Sequence, residues 1–127
     1  MVIIGHQFLK TKPFYKITSI DDISKTPPMS TLYIEFNEKN TEIIKYCQTN
    51  NIATAIYTKE VTQVVLSSLL GACFIVVDDI ELAKKAQNIA NNYLFDAKIL
   101  IKIKQSTEIE DIALEGIDGV VFEDAII

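Results

Sequence analysis

A short apolar run that ends abruptly at two carboxylates constrains the fold of this chain more than any other stretch. Residues 73–77 read Cys-Phe-Ile-Val-Val, and Asp78 and Asp79 follow at once. Such a run, rich in β-branched side chains, is too short for a buried helix and is typical of a strand covered on both faces. We therefore expect it to be the central strand of a parallel sheet. An Asp in place of Val76 is expected to abolish folding.

Strands and helices are predicted to alternate along most of the chain. Between the strand candidates, apolar residues recur at spacings of three and four, which is the pattern of one buried helix face. Strands that alternate with helices form βαβ units with right-handed crossovers and a parallel sheet. The strand candidates are residues 2–4, 14–17, 31–36, 52–57, 73–77, 97–103 and 119–122.

Residues 1–127 are expected to form a single α/β domain, because the length suits one core and no Gly/Ser/Pro-rich linker interrupts the chain. The preferred architecture is a three-layer sandwich with a parallel sheet of five to six strands, flavodoxin-like or Rossmann-like, with helices on both faces. The alternative is a half TIM barrel of βα units. A half-barrel would leave one sheet face bare, which predicts a homodimer that covers it.

An internal repeat supports the prediction that the chain is built from βα units. Residues 53–79 align without a gap on residues 98–124, at an offset of 45 residues, and seven of the 27 pairs are identical. The identities include Gly71 with Gly116 and Asp79 with Asp124. The period is that of two βα units, so the match records either a duplication or the shared demands of βαβ packing, and we favour the second.

The charge balance excludes some partners. A net charge of -5 and a pI near 4.8 argue against nucleic acid and anionic membranes, which need a basic surface. The uncharged residues 61–77 contain several polar side chains and predict a helix followed by a strand, not a membrane span. Cys47 and Cys73 are interpreted as buried free thiols, and the first residues lack a basic signal-peptide region, so a cytoplasmic protein is expected.

Four carboxylates form the candidate metal site. In flavodoxin-like order the strand at 73–77 would lie beside that at 119–122, and Asp78, Asp79, Glu123 and Asp124 would meet at one rim. Such a rim suits Mg²⁺ and a small anionic ligand that bears a phosphate. Mutual repulsion would then make Asp78→Asn and Asp124→Asn stabilising in the metal-free protein. Alternatively, Asp78 and Glu81 form a capping box for the next helix and bind nothing.

Lys102 is the candidate catalytic residue. Strand alternation places it on the face opposite Ile99, Ile101 and Ile103. A desolvated lysine in a cleft would form a Schiff base with a carbonyl substrate, as in a lysine-dependent lyase. The alternative is that a lysine here marks a strand end or guards an edge strand against aggregation.

Two family resemblances accompany these candidates. Residues 114–122, Leu-Glu-Gly-Ile-Asp-Gly-Val-Val-Phe, resemble the helix-to-strand passage of phosphate-binding TIM barrels, which implies a half-barrel of βα units. Residues 74–79, with 110–114 and 120–124, resemble the first half of response-regulator receiver domains. That resemblance implies that Asp78 and Asp79 hold Mg²⁺ and that Glu123 or Asp124 lies near the phosphoacceptor.

No glycine-rich phosphate loop is present, since only four glycines occur and neither GxGxxG nor a Walker A motif is found. The sequence also lacks a recognisable set of nucleophile, base and metal ligands. We therefore interpret the protein as a non-enzymatic regulatory or ligand-binding module. The alternative is a small enzyme, either a Mg²⁺-dependent phosphoryl handler at the acidic strand ends or a lyase that uses Lys102.

Overall fold

A computed structural model describes residues 1–127 as strands and α-helices joined by short loops and 3-10 turns. The strands are β1 Val2–Ile4, β2 Phe14–Lys16, β3 Thr31–Glu35, β4 Thr54–Tyr57, β5 Phe74–Val77, β6 Lys98–Ile103 and β7 Gly119–Phe122. The α-helices are α1 Thr41–Thr49, α2 Val61–Leu69, α3 Ile80–Asn92 and α4 Ile109–Leu114. The 3-10 turns are Ile20–Lys25, Glu38–Asn40, Ser106–Glu108 and Glu123–Ala125.

All seven strands form one parallel sheet in the order β1-β7-β6-β5-β4-β3-β2. The predicted α/β class and parallel sheet are confirmed, and β5 is the fourth of the seven strands, as expected of a central strand. The sheet has more strands than the five to six expected. The reason is that both short segments near the amino terminus join it, β1 beside β7 and β2 beside β3.

The α-helices all pack on one face of the sheet. The larger apolar core joins side chains of α1 to α4 with the outward-facing residues of the strands, such as Ile75, Val77, Ile99 and Ile101. The smaller core, on the other face, contains no α-helical residue. The sheet is therefore curled into a half-barrel with helices outside it, which is the alternative named above. The flavodoxin-like order is not found, because β6 lies between β5 and β7.

The inner face of this half-barrel is covered by the chain itself. Its residues Phe14, Tyr33, Val76 and Leu100 are all buried, because the curled sheet packs them against one another. The carboxyl-terminal residues join the free edge of β2: the amide of Lys16 donates to the carbonyl of Ile127 at 2.8 Å. The bare face expected of a half-barrel is thus filled within one chain. The homodimer stays a prediction. It is not required to cover the inner face, because the chain itself covers that face.

The uncharged stretch 61–77 divides into α2 and β5, as predicted. None of the helices has the length and apolar content needed to cross a membrane. Cys47 is buried, but the expectation of a buried Cys73 is wrong, since that residue is exposed. Cys73 precedes β5 at its amino end, where the chain has not yet entered the covered part of the sheet.

The internal repeat folds as two equivalent units, β4–α2–β5 and β6–α4–β7. Gly71 and Gly116 both end their helices with positive φ, at 80° and 75°. The side chain of Gln63 accepts the Lys59 amide, and that of Glu108, 45 residues later, accepts the Lys104 amide. These matched residues all serve helix ends. This supports the interpretation that the repeat reflects the demands of the fold.

The Asp118-Gly119 turn explains why the stretch before β7 resembles a TIM-barrel passage. The Asp118 carboxylate accepts the backbone N–H of Ile99 at 2.9 Å, which fixes β7 against β6. A Cβ on Gly119 would lie only 2.0 Å from the Val2 carbonyl oxygen. Glycine is therefore needed here for the close approach of β1, and both residues of the turn have structural roles.

Candidate functional site

Polar side chains gather where the inner face of the sheet meets solvent at the carboxyl ends of the strands. Alternation along each strand brings them to the same face as the buried residues of the smaller core. We call this region the mouth and define it by Lys16, Glu35, Tyr57, Asp78, Lys102 and Glu123. The carboxyl ends of parallel strands are where α/β proteins place their ligands, so the mouth is the first place to look for a site.

Lys102, Asp78 and Tyr57 form the centre of the mouth. The Lys102 Nζ lies 3.3 Å from Asp78 Oδ1, and the Tyr57 hydroxyl donates to the other carboxylate oxygen of Asp78. The same Nζ lies 4.8 Å from the centroid of the Tyr57 ring, within the range of a cation–π contact. The Lys102 side chain is only 27% exposed. Three adjacent strands, β4, β5 and β6, thus hold one charged and hydrogen-bonded cluster.

Two tyrosines line the inner face beside this cluster. The rings of Tyr33 and Tyr57 stack with centroids 6.1 Å apart. Burial, together with the hydrogen bond to Asp78, raises the pKa of Tyr57 to about 12. Burial, with the neighbouring Tyr57 hydroxyl and Asp78 adding to it, raises the pKa of Tyr33 further. Both phenols are therefore neutral hydrogen-bond donors at neutral pH.

Lysines and carboxylates alternate around the mouth. Lys59 pairs with Glu35 at 3.6 Å, and Lys104 pairs with Glu123 at 3.7 Å. The rim of mutually repelling acids that the flavodoxin-like order implied is therefore wrong. β6 separates Asp78 on β5 from Glu123 after β7, and its lysines lie between them.

The four predicted metal ligands have separate roles in this structure. Asp79, not Asp78, is the N-cap of α3, where its carboxylate accepts the Leu82 amide at 2.8 Å. Asp78 and Glu123 are paired with lysines, and Asp124 is exposed. No three acidic, His or Cys side chains converge as a metal-holding group. The Mg²⁺ site stays a prediction, in which the metal would have to displace these lysines.

Two cavities open on either side of Lys102. The first, which we call the wide cavity, has a volume of about 450 Å³ and is lined mainly by polar residues, including Asp78, Lys102, Lys104, Thr107 and Glu108. The second, which we call the small pocket, has a volume of about 200 Å³ and is lined by Lys16, Tyr33, Lys102, Glu123 and Ile126. Lys102 and Glu123 line both cavities.

The other cavities lack comparable chemistry. The largest, about 680 Å³, lies outside the sheet between α2 and α3, and Asp96 is its only ionisable residue apart from Tyr93. Cys47 and Cys73 line another at the opposite end of the strands, and burial raises the pKa of the Cys47 thiol. Neither thiol is near the mouth, so the mouth is the candidate site.

Sequence reasoning missed three residues of the mouth: Lys16, Tyr33 and Tyr57. The sequence did contain a pattern that could have identified them. Alternation in β2, β3 and β4 puts these three residues on the same face as Phe14 and Ala55. The internal repeat also aligned Tyr57 with Lys102, at an offset of 45 residues. Because Tyr57 and Lys102 occupy equivalent positions in equivalent strands, the repeat would have indicated that both lie at the same end and on the same face of the sheet.

No family model matches the chain, and no curated protein matches it. Function must therefore be inferred from the geometry of the mouth.

Proposed function

We propose that the protein is a ligand-binding module that holds a small polar molecule in the wide cavity without transforming it. The observation that carries this proposal is the Lys102–Asp78–Tyr57 cluster, from which Lys102 and Asp78 present their charged groups to the wide cavity. A cavity of about 450 Å³ falls in the range typical of small-molecule sites. Charged and hydrogen-bonding groups placed on rigid strands are what such sites use to orient a ligand.

The same cluster favours binding over catalysis. The Lys102 amine is in an ion pair with Asp78, and an ammonium ion has no lone pair with which to attack a carbonyl. The Asp78 carboxylate already accepts a hydrogen bond from Tyr57 and is in an ion pair with Lys102, so both of its oxygens are engaged by protein groups. When a ligand binds, Lys102 and Asp78 can each replace their present partner with a group of the ligand. They pair with each other again when the ligand leaves.

A thermal-shift screen tests the proposal. The parent protein is heated in the presence of carboxylic acids, sugars, phosphorylated metabolites, nucleotides and metal ions. A ligand at 100 times its dissociation constant adds about 2.7 kcal/mol of stability, which is well above the detection limit of the method. The Lys102→Gln variant should lose the shift of any true ligand.

Lys85→Gln is the matched control, because it removes the same charge from an exposed position on α3. A ligand that stabilises all three proteins equally does not bind at the mouth. If no compound in the screen stabilises the parent in a way that Lys102→Gln abolishes, the proposal fails.

A lysine-dependent lyase is the second candidate function, favoured by the partial burial of Lys102 against the Tyr57 ring. In that reaction the Lys102 ammonium would first pass its proton to the adjacent Asp78 carboxylate, and the neutral amine would then attack the substrate carbonyl, whose oxygen leaves as water when the Schiff base forms. Borohydride reduction with a panel of keto acids would trap that adduct, and mass spectrometry would place it. The lyase function is excluded if Lys102 carries no adduct.

A further inference from the structure

The small pocket joins parts of the sheet that are far apart in strand order. Lys16 is on β2, at one edge, whereas Lys102 is on β6, with three strands between them. They share a pocket because the sheet curls and because residues 126 and 127 bridge the gap. The Ile127 amide donates to the Phe14 carbonyl at 2.9 Å, which places Ile126 against the pocket.

Tyr33 places a hydrogen-bond donor at the small pocket that no other protein group uses. Only 4% of the residue is exposed, and it lines the small pocket. Its hydroxyl makes no hydrogen bond to another protein group, whereas the neighbouring Tyr57 hydroxyl donates to Asp78. The hydroxyl opens onto the small pocket, where it is free to donate a hydrogen bond to a bound group.

The charges around the small pocket favour an anion. Lys16 has no carboxylate within ion-pair distance, whereas Lys102 pairs with Asp78 and Lys104 with Glu123. Of the two lysines that line the small pocket, Lys16 is therefore the one that has no side-chain carboxylate as an ion-pair partner. The apolar side chain of Ile126 and the Tyr33 ring lower the local dielectric and strengthen the attraction.

The size of the small pocket selects a small group. A volume of about 200 Å³ corresponds to roughly seven waters at about 30 Å³ each, which is below the range for a whole drug-sized ligand. One carboxylate or phosphate fits it with a few waters. We propose that the small pocket binds the oxyanion of a small molecule, with the Lys16 and Lys102 ammonium groups and the Tyr33 hydroxyl as donors.

This inference rests on the proposed function, since it assigns the anionic end of the ligand to the small pocket and its remainder to the wide cavity. It is tested separately with inorganic phosphate and with acetate, each titrated by calorimetry and thermal shift against chloride at equal ionic strength. The parent should give saturable binding to at least one of them. Comparison of the phosphate and acetate affinities shows which of the two oxyanions the small pocket prefers.

Tyr33→Phe and Lys16→Gln are the decisive variants. Each removes one hydrogen bond to a charged group, so each should weaken anion binding by about tenfold or more. Tyr33→Phe keeps the buried ring, and its melting temperature without anion should equal or exceed that of the parent, because the lost hydroxyl had no protein partner. Lys12→Gln, an exposed lysine near β2, is the charge-matched control and should bind as the parent does.

Two results would overturn the inference. One is a parent that responds to phosphate and acetate no more than to chloride. The other is a response that Lys102→Gln abolishes but Lys16→Gln and Tyr33→Phe retain. The second result would place the anion in the wide cavity, which refutes the small pocket but leaves the proposed function standing.

Discussion

Lys102 and Asp78 extend from neighbouring strands to one point in the mouth, where the ammonium nitrogen lies 3.3 Å from a carboxylate oxygen. Sequence reasoning had placed these residues in two different sites, a Schiff-base lysine and a magnesium cluster. Their contact makes each the main neighbour of the other. A change at either position must therefore be interpreted as a change to both.

Asp78→Asn is expected to destabilise the protein by about 1 kcal/mol, because it removes a partly buried ion pair and weakens the hydrogen bond from Tyr57. For a chain of this length, that corresponds to a fall of about 2 to 4 °C in melting temperature. This sign is opposite to the one that a rim of repelling acids implied. Thermal and urea unfolding both measure it.

Asp124→Asn serves as the comparison for this prediction. Asp124 is exposed and has no lysine within ion-pair distance, so its change should stay within about 0.5 kcal/mol. A more stable Asp78→Asn protein would mean that repulsion from other carboxylates outweighs the contact with Lys102. Equal melting temperatures for all three proteins would mean that the contact contributes nothing.

The predicted magnesium site is tested with the same proteins. If Asp78 and Glu123 hold Mg²⁺, millimolar MgCl₂ should raise the melting temperature of the parent and leave that of Asp78→Asn unchanged. Lys102→Gln should then bind the metal more tightly, because it removes the cation that competes for Asp78. Failure of MgCl₂ to shift either protein, at constant ionic strength, would exclude the site.

The sequence predicted the outer core better than the mouth. Ile75, Val77, Ile99 and Ile101 belong to two continuous apolar runs, and residues of such runs are expected to be buried against helices. Curvature was harder to predict, because it depends on how far β2 approaches β7. That approach is fixed by residues 126 and 127, which no periodic pattern marks as part of the sheet.

The misassigned cap shows a second limit. Asp78 and Asp79 are equally good N-caps by residue type, and the choice between them depends on where β5 ends. One register step sends Asp78 to the inner face and Asp79 to the helix. Only the sheet pairing of Val77 with Ile101 decides that step. Long-range pairing is therefore needed before a role can be given to either acid.

Asp79→Ala should cost about 1 kcal/mol, because α3 loses the side chain that accepts the Leu82 amide. Asp79→Asn should cost much less, since Asn caps a helix about as well as Asp. Chemical unfolding of the two variants measures the difference. Equal losses would indicate that the charge of Asp79, and not its capping bond, stabilises the protein.

Val76→Asp should prevent folding. Val76 is fully buried on the inner face of the central strand, and a carboxylate there would have no partner among Tyr33, Ala55 and Leu100. The cost of several kcal/mol is comparable with the whole stability of a domain. Val76→Ala is the control for volume: it should fold and lose about 2 kcal/mol. A cooperatively melting Val76→Asp protein would show that the inner face is open to water.

Tyr57 should make the stability of the protein fall between pH 10 and about pH 12. Its ordinary pKa of 10.0 is raised to about 12 in the folded state, first by burial and then by Asp78. A raised pKa gives stability that is complete below pH 10, and the stability is lost as the pH approaches the folded value, because the unfolded chain ionises first. Tyr57→Phe lacks this ionisation, so its stability should fall less over the same interval.

Asp78→Asn separates the two causes of the raised pKa. Without the carboxylate, Tyr57 loses a hydrogen bond and a nearby negative charge, so its pKa should move back toward 10. It should not return completely, because burial is the larger cause. Phenolate absorbance, recorded as the difference between each protein and its Tyr57→Phe partner, follows this one tyrosine. Identical titrations with and without Asp78 would mean that the contact between the Tyr57 hydroxyl and the carboxylate does not persist in solution.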